Sequence, residues 1–168
     1  MSSGKRSYRH SPLGGPAGLR SPGSSGLRQA SDDRNHIKVD SFDDAENERV
    51  RRIFAETGLT LSSIAYYENN LHPERGPEVN AHVRRCVDAA AALGCPTVGT
   101  FIGRDPGLTV RDNLKRAEDV FGPLVEYATA RGVELVIENC VMKSWHPDGY
   151  PGNLAYSPSC GSGCSGSG

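Results

Sequence analysis

The chain has 168 residues, of which 36% are hydrophobic and 23% are charged, and its formal net charge is −1. This composition suits one soluble globular domain. No apolar run approaches the ~20 residues that a membrane-spanning helix needs, and there is no signal-peptide core. We therefore expect a cytoplasmic protein with reduced cysteines and no membrane partner.

Composition divides the chain into three parts. Residues 1–34 form a leader rich in Ser, Gly, Pro and Arg, and residues 159–168 form a tail of Ser, Gly and Cys. Neither can bury enough apolar surface to offset its ordering entropy, so we predict that both are disordered. The folded domain should then span residues 35–158. All 20 acidic residues of the chain lie within residues 32–156, against 14 of the 19 basic ones, and this acidic balance disfavours nucleic acid as a partner.

The first half of the domain predicts a strand, a helix and a second strand. Residues 36–40 alternate in polarity, which is typical of a short strand. Ser41 and Asp44 form a capping box for a helix that runs to about Thr57. Residues 59–67 are rich in Leu, Ile and Tyr and predict the next strand.

The second half continues the alternation. An apolar stripe predicts a helix over residues 78–93, and a buried type of strand follows at residues 97–102. Thr109 begins a second capping box, and the helix behind it ends at Gly132, before the strand that leads to Glu138. This β-α order predicts parallel strands with right-handed crossovers. Periodicity leaves a (β/α) barrel and an open doubly wound sheet equally open.

Polar and aromatic residues follow the predicted strands, whereas the links at the opposite end are mostly glycine caps. Ligands of parallel α/β proteins bind at the carboxyl ends of strands, so these residues are the candidate site. We assign Glu138 as the candidate catalytic residue and metal ligand. The candidate substrate-binding residues are Tyr66, Asn70, His72, Arg104, Asn139, Trp145 and His146.

Glu138 ends an apolar strand, and an isolated buried carboxylate is costly. It should therefore be paired, liganded or protonated, and a salt bridge with Arg104 is the structural alternative to a metal or acid–base role. Arg104 would otherwise suit an anionic substrate group. His72 and His146 could be ligands or ordinary loop residues, and Trp145 could stack on a sugar or cover the sheet. The absence of G-x-G-x-x-G and Walker motifs gives no support to a nucleotide cofactor.

Three segments resemble the sugar phosphate isomerase/epimerase family, which has the xylose isomerase-like TIM barrel fold. They are residues 58–73 (GLTLSSIAYYENNLHP), 98–105 (VGTFIGRD) and 135–140 (LVIENC), and residues 145–158 continue the match. The resemblance implies an α/β fold, here a partial (β/α) TIM barrel of about four βα units. It also implies that the ligand is a sugar or a sugar phosphate.

In that family a divalent metal, often Mn, Mg, Co or Zn, is held by Glu, Asp, His and Glu from successive later strands. The resemblance implies that Glu138 is the first Glu of that set and also transfers a proton beside the sugar carbonyl through an enediolate. The other three ligands have no counterpart in this chain, and a TIM barrel usually takes about 250 residues. We therefore expect an open barrel that self-associates or requires a partner chain.

Two other interpretations stay open. The chain could be a non-catalytic half-barrel, either a fragment or an interaction module. It could also be an endonuclease-like relative that acts on abasic DNA with zinc, which the acidic domain and the scarcity of histidines disfavour.

Overall fold

The protein alternates parallel strands with helices, as a computed structural model that describes residues 27–31 and 37–156 establishes. The four strands are β1 (Leu27–Ser31), β2 (Thr60–Tyr66), β3 (Thr97–Thr100) and β4 (Glu134–Ile137). The three helices are α1 (Asp44–Thr57), α2 (Gly76–Leu93) and α3 (Val110–Thr129). Two 3₁₀ turns lie at Val39–Ser41 and Lys143–Trp145.

The strands form one parallel sheet in the order β1-β2-β3-β4. In register, Ile64 lies opposite Val98, and Val98 lies opposite Leu135. Because a (β/α) barrel has eight such strands, this open sheet is a partial TIM barrel. The predicted fold class is confirmed.

The core lies between the sheet and the helices. One cluster joins Ile64 and Val98 to buried residues of α1 and α2, and a second joins Ile102 to α2 and α3. The predicted apolar stripe of α2 is buried throughout, at Val79, Val83, Cys86, Val87 and Ala90. All three helices therefore cover one face of the sheet, and we call the opposite face the inner face.

Glycines make the links at the amino ends of the strands. Gly58, Gly94 and Gly132 have φ angles of 65°, 70° and 69°, in the left-handed region that ends a helix. No other heavy atom lies within 4 Å of the position that a Cβ would take at any of the three. These links are short and uncrowded, and they return the chain directly into the next strand.

Side-chain caps start two of the helices. The Thr109 hydroxyl accepts from the Asp112 backbone N–H at the start of α3, as predicted. At α1 the cap is Asp43, whose carboxylate accepts from the Glu46 N–H at 2.8 Å, so the prediction of Ser41 as the cap is wrong. Glu46 also accepts from the Lys38 N–H and forms an ion pair with Arg49. The hydrogen bond from Arg49 lowers the pKa of Glu46 to about 2.

The start of the domain differs from the prediction in two ways. Residues 37–38 are irregular and a 3₁₀ turn follows at Val39–Ser41, so no strand forms in the described part of 36–40. Ile37 and Val39 are still buried, which explains the alternating pattern. Meanwhile β1 lies inside the leader that we predicted to be disordered, because pairing with β2 gives these residues backbone partners that composition does not indicate. The predicted tail, residues 159–168, lies outside the described residues.

Within the described ranges, no helix combines the length and apolarity that crossing a membrane requires.

Candidate functional site

The inner face carries the side chains that alternate with the core-facing ones. A Cβ on Gly99 would lie 3.7 Å from the Ala65 Cβ and 3.2 Å from the Tyr67 hydroxyl, so these three residues share a face. On β4, Leu135 packs against the helix-side core whereas Val136 is 40% exposed. Because side chains alternate along a strand, Glu134, Val136 and Glu138 project from the inner face.

Three aromatic rings form a row at the carboxyl end of this face. The Tyr67 and Phe101 ring centroids are 4.7 Å apart, and Phe101 meets Trp145 edge-on at 5.6 Å. Phe101 is buried, whereas Trp145 is half-buried. The row joins the loops after β2, β3 and β4 and gives the site an apolar wall.

Glu138 lies directly beside this row. The last registered pair of β3 and β4 is Thr100 with Ile137, so Phe101 and Glu138 are the next positions in line. The Glu138 backbone N–H donates to the Thr100 carbonyl at 2.9 Å, which keeps the residue in the ladder beyond the last strand residue. This hydrogen bond therefore fixes the backbone position from which the candidate catalytic side chain extends.

The environment of the Glu138 side chain differs from the prediction. We expected a buried carboxylate that must be paired, but the residue is exposed. β4 is an edge strand of the described sheet, so no described strand lies on its outer side. Arg104 does not form the predicted alternative salt bridge with Glu138; its guanidinium donates to the Pro151 carbonyl at 3.3 Å.

Buried asparagines hold the loops at the carboxyl ends of the strands. The Asn69 amide accepts from the Arg104 N–H at 3.0 Å and donates to the Arg104 carbonyl at 2.8 Å. The Gly103 φ angle is 83°, and a Cβ there would lie 1.9 Å from the Asn69 side-chain oxygen. Only glycine therefore permits this approach of the β2 and β3 loops.

Asn153 connects the β3 loop to the β4 loop. It is fully buried, and its side-chain oxygen accepts from the Gly103 N–H at 2.9 Å. Its amide nitrogen donates to the Cys140 carbonyl at 3.0 Å and to the Glu138 carbonyl at 3.4 Å. One side chain thus fixes the backbone at Glu138 and two residues after it.

Asn70 is also part of this framework. Its amide nitrogen donates to the Thr100 hydroxyl at 2.9 Å and to the Phe101 carbonyl at 2.7 Å. It is 1% exposed, and its side-chain oxygen is buried without a partner in the described part of the chain. The structure therefore places this predicted substrate-binding residue beneath the surface that a substrate would touch.

A polar groove lies beside the aromatic row, between the loops after β2 and β4. Its volume is about 260 Å³, and it is lined by Glu68, Asn69, His72, Arg75, Ser144 and Trp145. His72 Nδ1 accepts the backbone N–H groups of Glu74 and Arg75 at 3.2 and 3.1 Å, so Nε2 is the nitrogen left for a ligand. The groove brings together two predicted substrate-binding residues, His72 and Trp145.

Other predicted residues lie elsewhere. The Tyr66 ring packs 4.1 Å from the His82 ring on α2, which is the helix side of the sheet. The aromatic ring that this strand end offers to the inner face is that of Tyr67. His146 is buried against Tyr150, and its Nδ1 accepts from the Asp148 N–H, whereas Asn139 is exposed next to Glu138.

Sequence reasoning missed the loop-holding role of Asn69 and Asn153, and the groove-lining residues Glu68, Arg75 and Ser144. Asparagine after a strand is a visible signal for Asn69. Asn153 carries no such signal, because its partners lie 13 to 50 residues earlier in the chain.

The described residues do not form a metal centre by themselves. A divalent cation in a protein takes several oxygen or nitrogen ligands. No three His, Cys, Asp or Glu side chains converge in the described ranges in a way that could hold one. Glu138 is a single oxygen ligand, so the residues present do not fit a complete site.

A parallel sheet covered by helices on one face, with candidate side chains at its carboxyl end, is the architecture of a TIM barrel. The model of one such family, the xylose isomerase-like TIM barrel, matches residues 26–157, so the chain belongs to that family. No curated protein matches the chain.

Solved structures show the same fold. A D-tagatose 3-epimerase-like protein is 14% identical with a TM-score of 0.64, and the match covers 83% of this chain and 51% of that one. For an L-ribulose 3-epimerase the values are 18%, 0.58, 83% and 46%. A xylose isomerase-like TIM barrel protein from Mycobacterium smegmatis, in complex with magnesium, is 20% identical with a TM-score of 0.51, covering 68% of this chain and 42% of that one. The chain thus spans about half the length of these structures.

Proposed function

We propose that this chain belongs to a sugar isomerase/epimerase-type protein and that its inner face binds a ketose or a sugar phosphate. The observation that carries the proposal is the exposed Glu138 carboxylate at the carboxyl end of β4, beside the aromatic row of Tyr67, Phe101 and Trp145. The names of two structural relatives, a ribulose and a tagatose-type 3-epimerase, support the substrate class.

Glu138 would act as a general base. A C–H bond next to a sugar carbonyl is acidic enough for a positioned carboxylate to take its proton, which leaves an enediolate. Delivery of a proton to the opposite face of the same carbon, by an acid on that side, gives an epimer. Delivery to the former carbonyl carbon, with loss of the proton from the hydroxyl group of the first carbon, gives an isomer. The aromatic row would pack against the apolar face of the sugar, and the side chains of the polar groove would form hydrogen bonds with the hydroxyl groups of the sugar.

A divalent metal, Mn, Mg, Co or Zn, remains part of the proposal, and the magnesium complex of a relative supports it. Glu138 would supply one oxygen ligand, and the other ligands would come from outside the described residues.

The second candidate function is a non-catalytic half-barrel that acts as an interaction module. Two observations favour it: the described residues offer no group of three metal-ligating side chains, and β4 has an unpaired edge in the described sheet. A protein of this kind would bind a sugar or a partner without proton transfer.

The test is solvent exchange. We would incubate the protein with a ketose and Mn²⁺ in D₂O and follow deuterium at the carbon beside the carbonyl by NMR. The proposal expects exchange that Glu138→Gln lowers by at least about 100-fold. Glu134→Gln is the matched control, because Glu134 is an exposed carboxylate on the same face of β4 but at its amino end.

The outcomes separate the two candidates. Exchange that both variants retain would remove Glu138 as the base. No exchange in the wild type, with sugar binding still detected by calorimetry, would favour the non-catalytic half-barrel.

A further inference from the structure

The polar groove contains an ion pair between two of its own lining residues. Nη2 of the Arg75 guanidinium lies 3.9 Å from Oε2 of the Glu68 carboxylate. Both side chains are partly exposed, at 55% for Arg75 and 37% for Glu68, so each can contact a ligand in the groove. Because the charge of Arg75 is already balanced by a carboxylate, an anionic ligand would have to compete with Glu68 for it.

The hydrogen-bonding groups of the groove match a hydroxyl group better than a phosphate. His72 Nδ1 accepts two backbone N–H groups, so the ring proton is on Nε2 and that nitrogen donates. The Glu68 carboxylate only accepts, and the Ser144 hydroxyl can do either. A sugar hydroxyl can donate to Glu68 and accept from His72, whereas a phosphate dianion has no proton to donate to Glu68.

The backbone at the start of α2 already uses the N–H groups that would bind an anion. A helix N-terminus binds phosphate through N–H groups that have no other partner. Here the N–H groups of Glu74 and Arg75 donate to His72 Nδ1, and that of Gly76 donates to the His72 carbonyl at 2.9 Å. The next residue, Pro77, has no N–H group. The helix that borders the groove therefore does not provide the usual phosphate cradle at these residues.

The loop after β3 uses its N–H groups in the same way. Those of residues 103–105 each donate to a buried asparagine side chain, at 2.8 to 3.0 Å. Those of residues 107 and 108 donate to Asp105, and residue 106 is a proline. In TIM barrels a phosphate is commonly held by loop N–H groups at this end of the sheet. Both loops that join the Asn69 side chain are thus bonded internally instead.

We propose that the polar groove binds an uncharged, hydroxyl-bearing part of the sugar and discriminates against phosphate, with Glu68 as the residue that determines this specificity. The inference rests on the proposed function and narrows its substrate class to an unphosphorylated ketose. Glu68 accepts a hydrogen bond from a sugar hydroxyl and repels a phosphate. The exposed Glu138 carboxylate, at the same end of the sheet, adds to the repulsion.

The emission of Trp145, which lines the groove, reports binding to the full chain. We would titrate the protein with D-fructose, with D-fructose 6-phosphate and with inorganic phosphate alone. D-fructose should change the emission, and D-fructose 6-phosphate should bind at least about 10-fold more weakly. Inorganic phosphate should leave the emission unchanged.

A pair of matched variants tests the role of Glu68. Glu68→Gln should tighten the binding of D-fructose 6-phosphate by about 10-fold relative to that of D-fructose, because it removes the repelling charge. Glu56→Gln removes the same charge at an exposed position near the end of α1, beside the amino end of the sheet, and should not change this ratio. Equal changes in the two variants would overturn the proposal, because the effect would then come from net charge.

The salt dependence of the wild type gives a second test, which decides if Glu68→Gln fails to fold by circular dichroism. Added NaCl screens repulsion between charges, so D-fructose 6-phosphate should bind more tightly as salt is raised, whereas the affinity for D-fructose should stay the same. Weaker binding of the phosphate ester at high salt would show net attraction and overturn the proposal.

The outcomes separate this inference from the proposed function. D-fructose 6-phosphate that binds as tightly as D-fructose, or more tightly, would overturn the inference and leave sugar binding intact. If neither compound alters the emission of Trp145, the groove is not a sugar site and the inference is overturned. The deuterium exchange experiment then decides on the proposed function by itself, because it does not depend on the groove.

Discussion

The side-chain oxygen of Asn153 accepts a 2.9 Å hydrogen bond from the backbone N–H of Gly103, fifty residues earlier in the chain. The same side chain donates to the carbonyls of Glu138 and Cys140. The loop that follows β3 and the loop that follows β4 are therefore joined through one amide, and the position of the Glu138 backbone depends on it.

Replacing Asn153 with Leu should lower the free energy of unfolding by about 2–4 kcal/mol, because it leaves buried backbone groups of Gly103 and Cys140 without partners. Denaturant unfolding measures the change. Asn47→Leu is the control, because Asn47 accepts a single exposed hydrogen bond from Arg51, and it should stay within about 0.5 kcal/mol of the wild type. Similar losses for the two variants would mean that the buried amide is not essential for joining the loops.

Two glycines with left-handed backbones should respond differently to alanine. Gly132→Ala meets no neighbouring atom and should cost about 1–2 kcal/mol from backbone strain alone. Gly103→Ala adds a clash with the Asn69 side chain and should cost more than about 3 kcal/mol or prevent folding. Thermal and denaturant unfolding of the pair would check this, and equal losses would contradict the close approach of Asn69.

Acid should weaken the start of α1. The folded-state pKa of Glu46 is about 2 against an ordinary value of 4.5, because Arg49 bonds to the carboxylate. A depressed pKa gives stability that is fully present above pH ~4.5 and is lost as the pH falls toward 2. Because Arg49 is partly exposed, we expect a contribution of about 1–2 kcal/mol.

The measurement is the free energy of unfolding between pH 2 and 5. Glu46→Gln should flatten its dependence on pH in this window. Glu48→Gln, at an exposed position on the same helix, should not change the slope. A slope that Glu46→Gln leaves intact would assign the acid sensitivity to other groups.

The polar groove can be followed through its own fluorophore. Trp145 is the single tryptophan of the chain and lines the groove. Binding of a ketose there should change its emission, and Arg75→Gln should weaken the apparent affinity about 10-fold by replacing a charged hydrogen-bond donor with a shorter neutral one. Arg111→Gln, at an exposed position at the start of α3, is the control. Emission that no sugar alters would place sugar binding away from the groove.

Local sequence signals predicted most of the fold. The apolar stripes and the glycine residues at the helix ends correctly predicted α2 and α3, because helix formation depends on residues a few positions apart. The Thr109 cap was predictable for the same reason. β1 was not predicted, because it forms a strand by pairing with β2 and its own composition does not indicate one.

The candidate site was predictable in outline only. The carboxyl-end rule brought Glu138, His72 and Trp145 to one end of the sheet. This rule could not predict that the Glu138 side chain is exposed, because exposure depends on which distant parts of the chain pack against β4. Tyr66 and Tyr67 could not be told apart either, because a shift of one residue in register exchanges the two faces.

The two ends of the sheet differ in how much change their links would accept. A side chain added at Gly58, Gly94 or Gly132 would meet no neighbouring atom, so we expect peptides inserted at these turns to extend into solvent and leave the strands in place. The backbone groups of the loops at the other end form hydrogen bonds with the buried side chains of Asn69 and Asn153, and an insertion at Gly103 would break these hydrogen bonds. A foreign peptide, tag or binding loop grafted onto this scaffold should therefore be displayed from the amino ends of the strands.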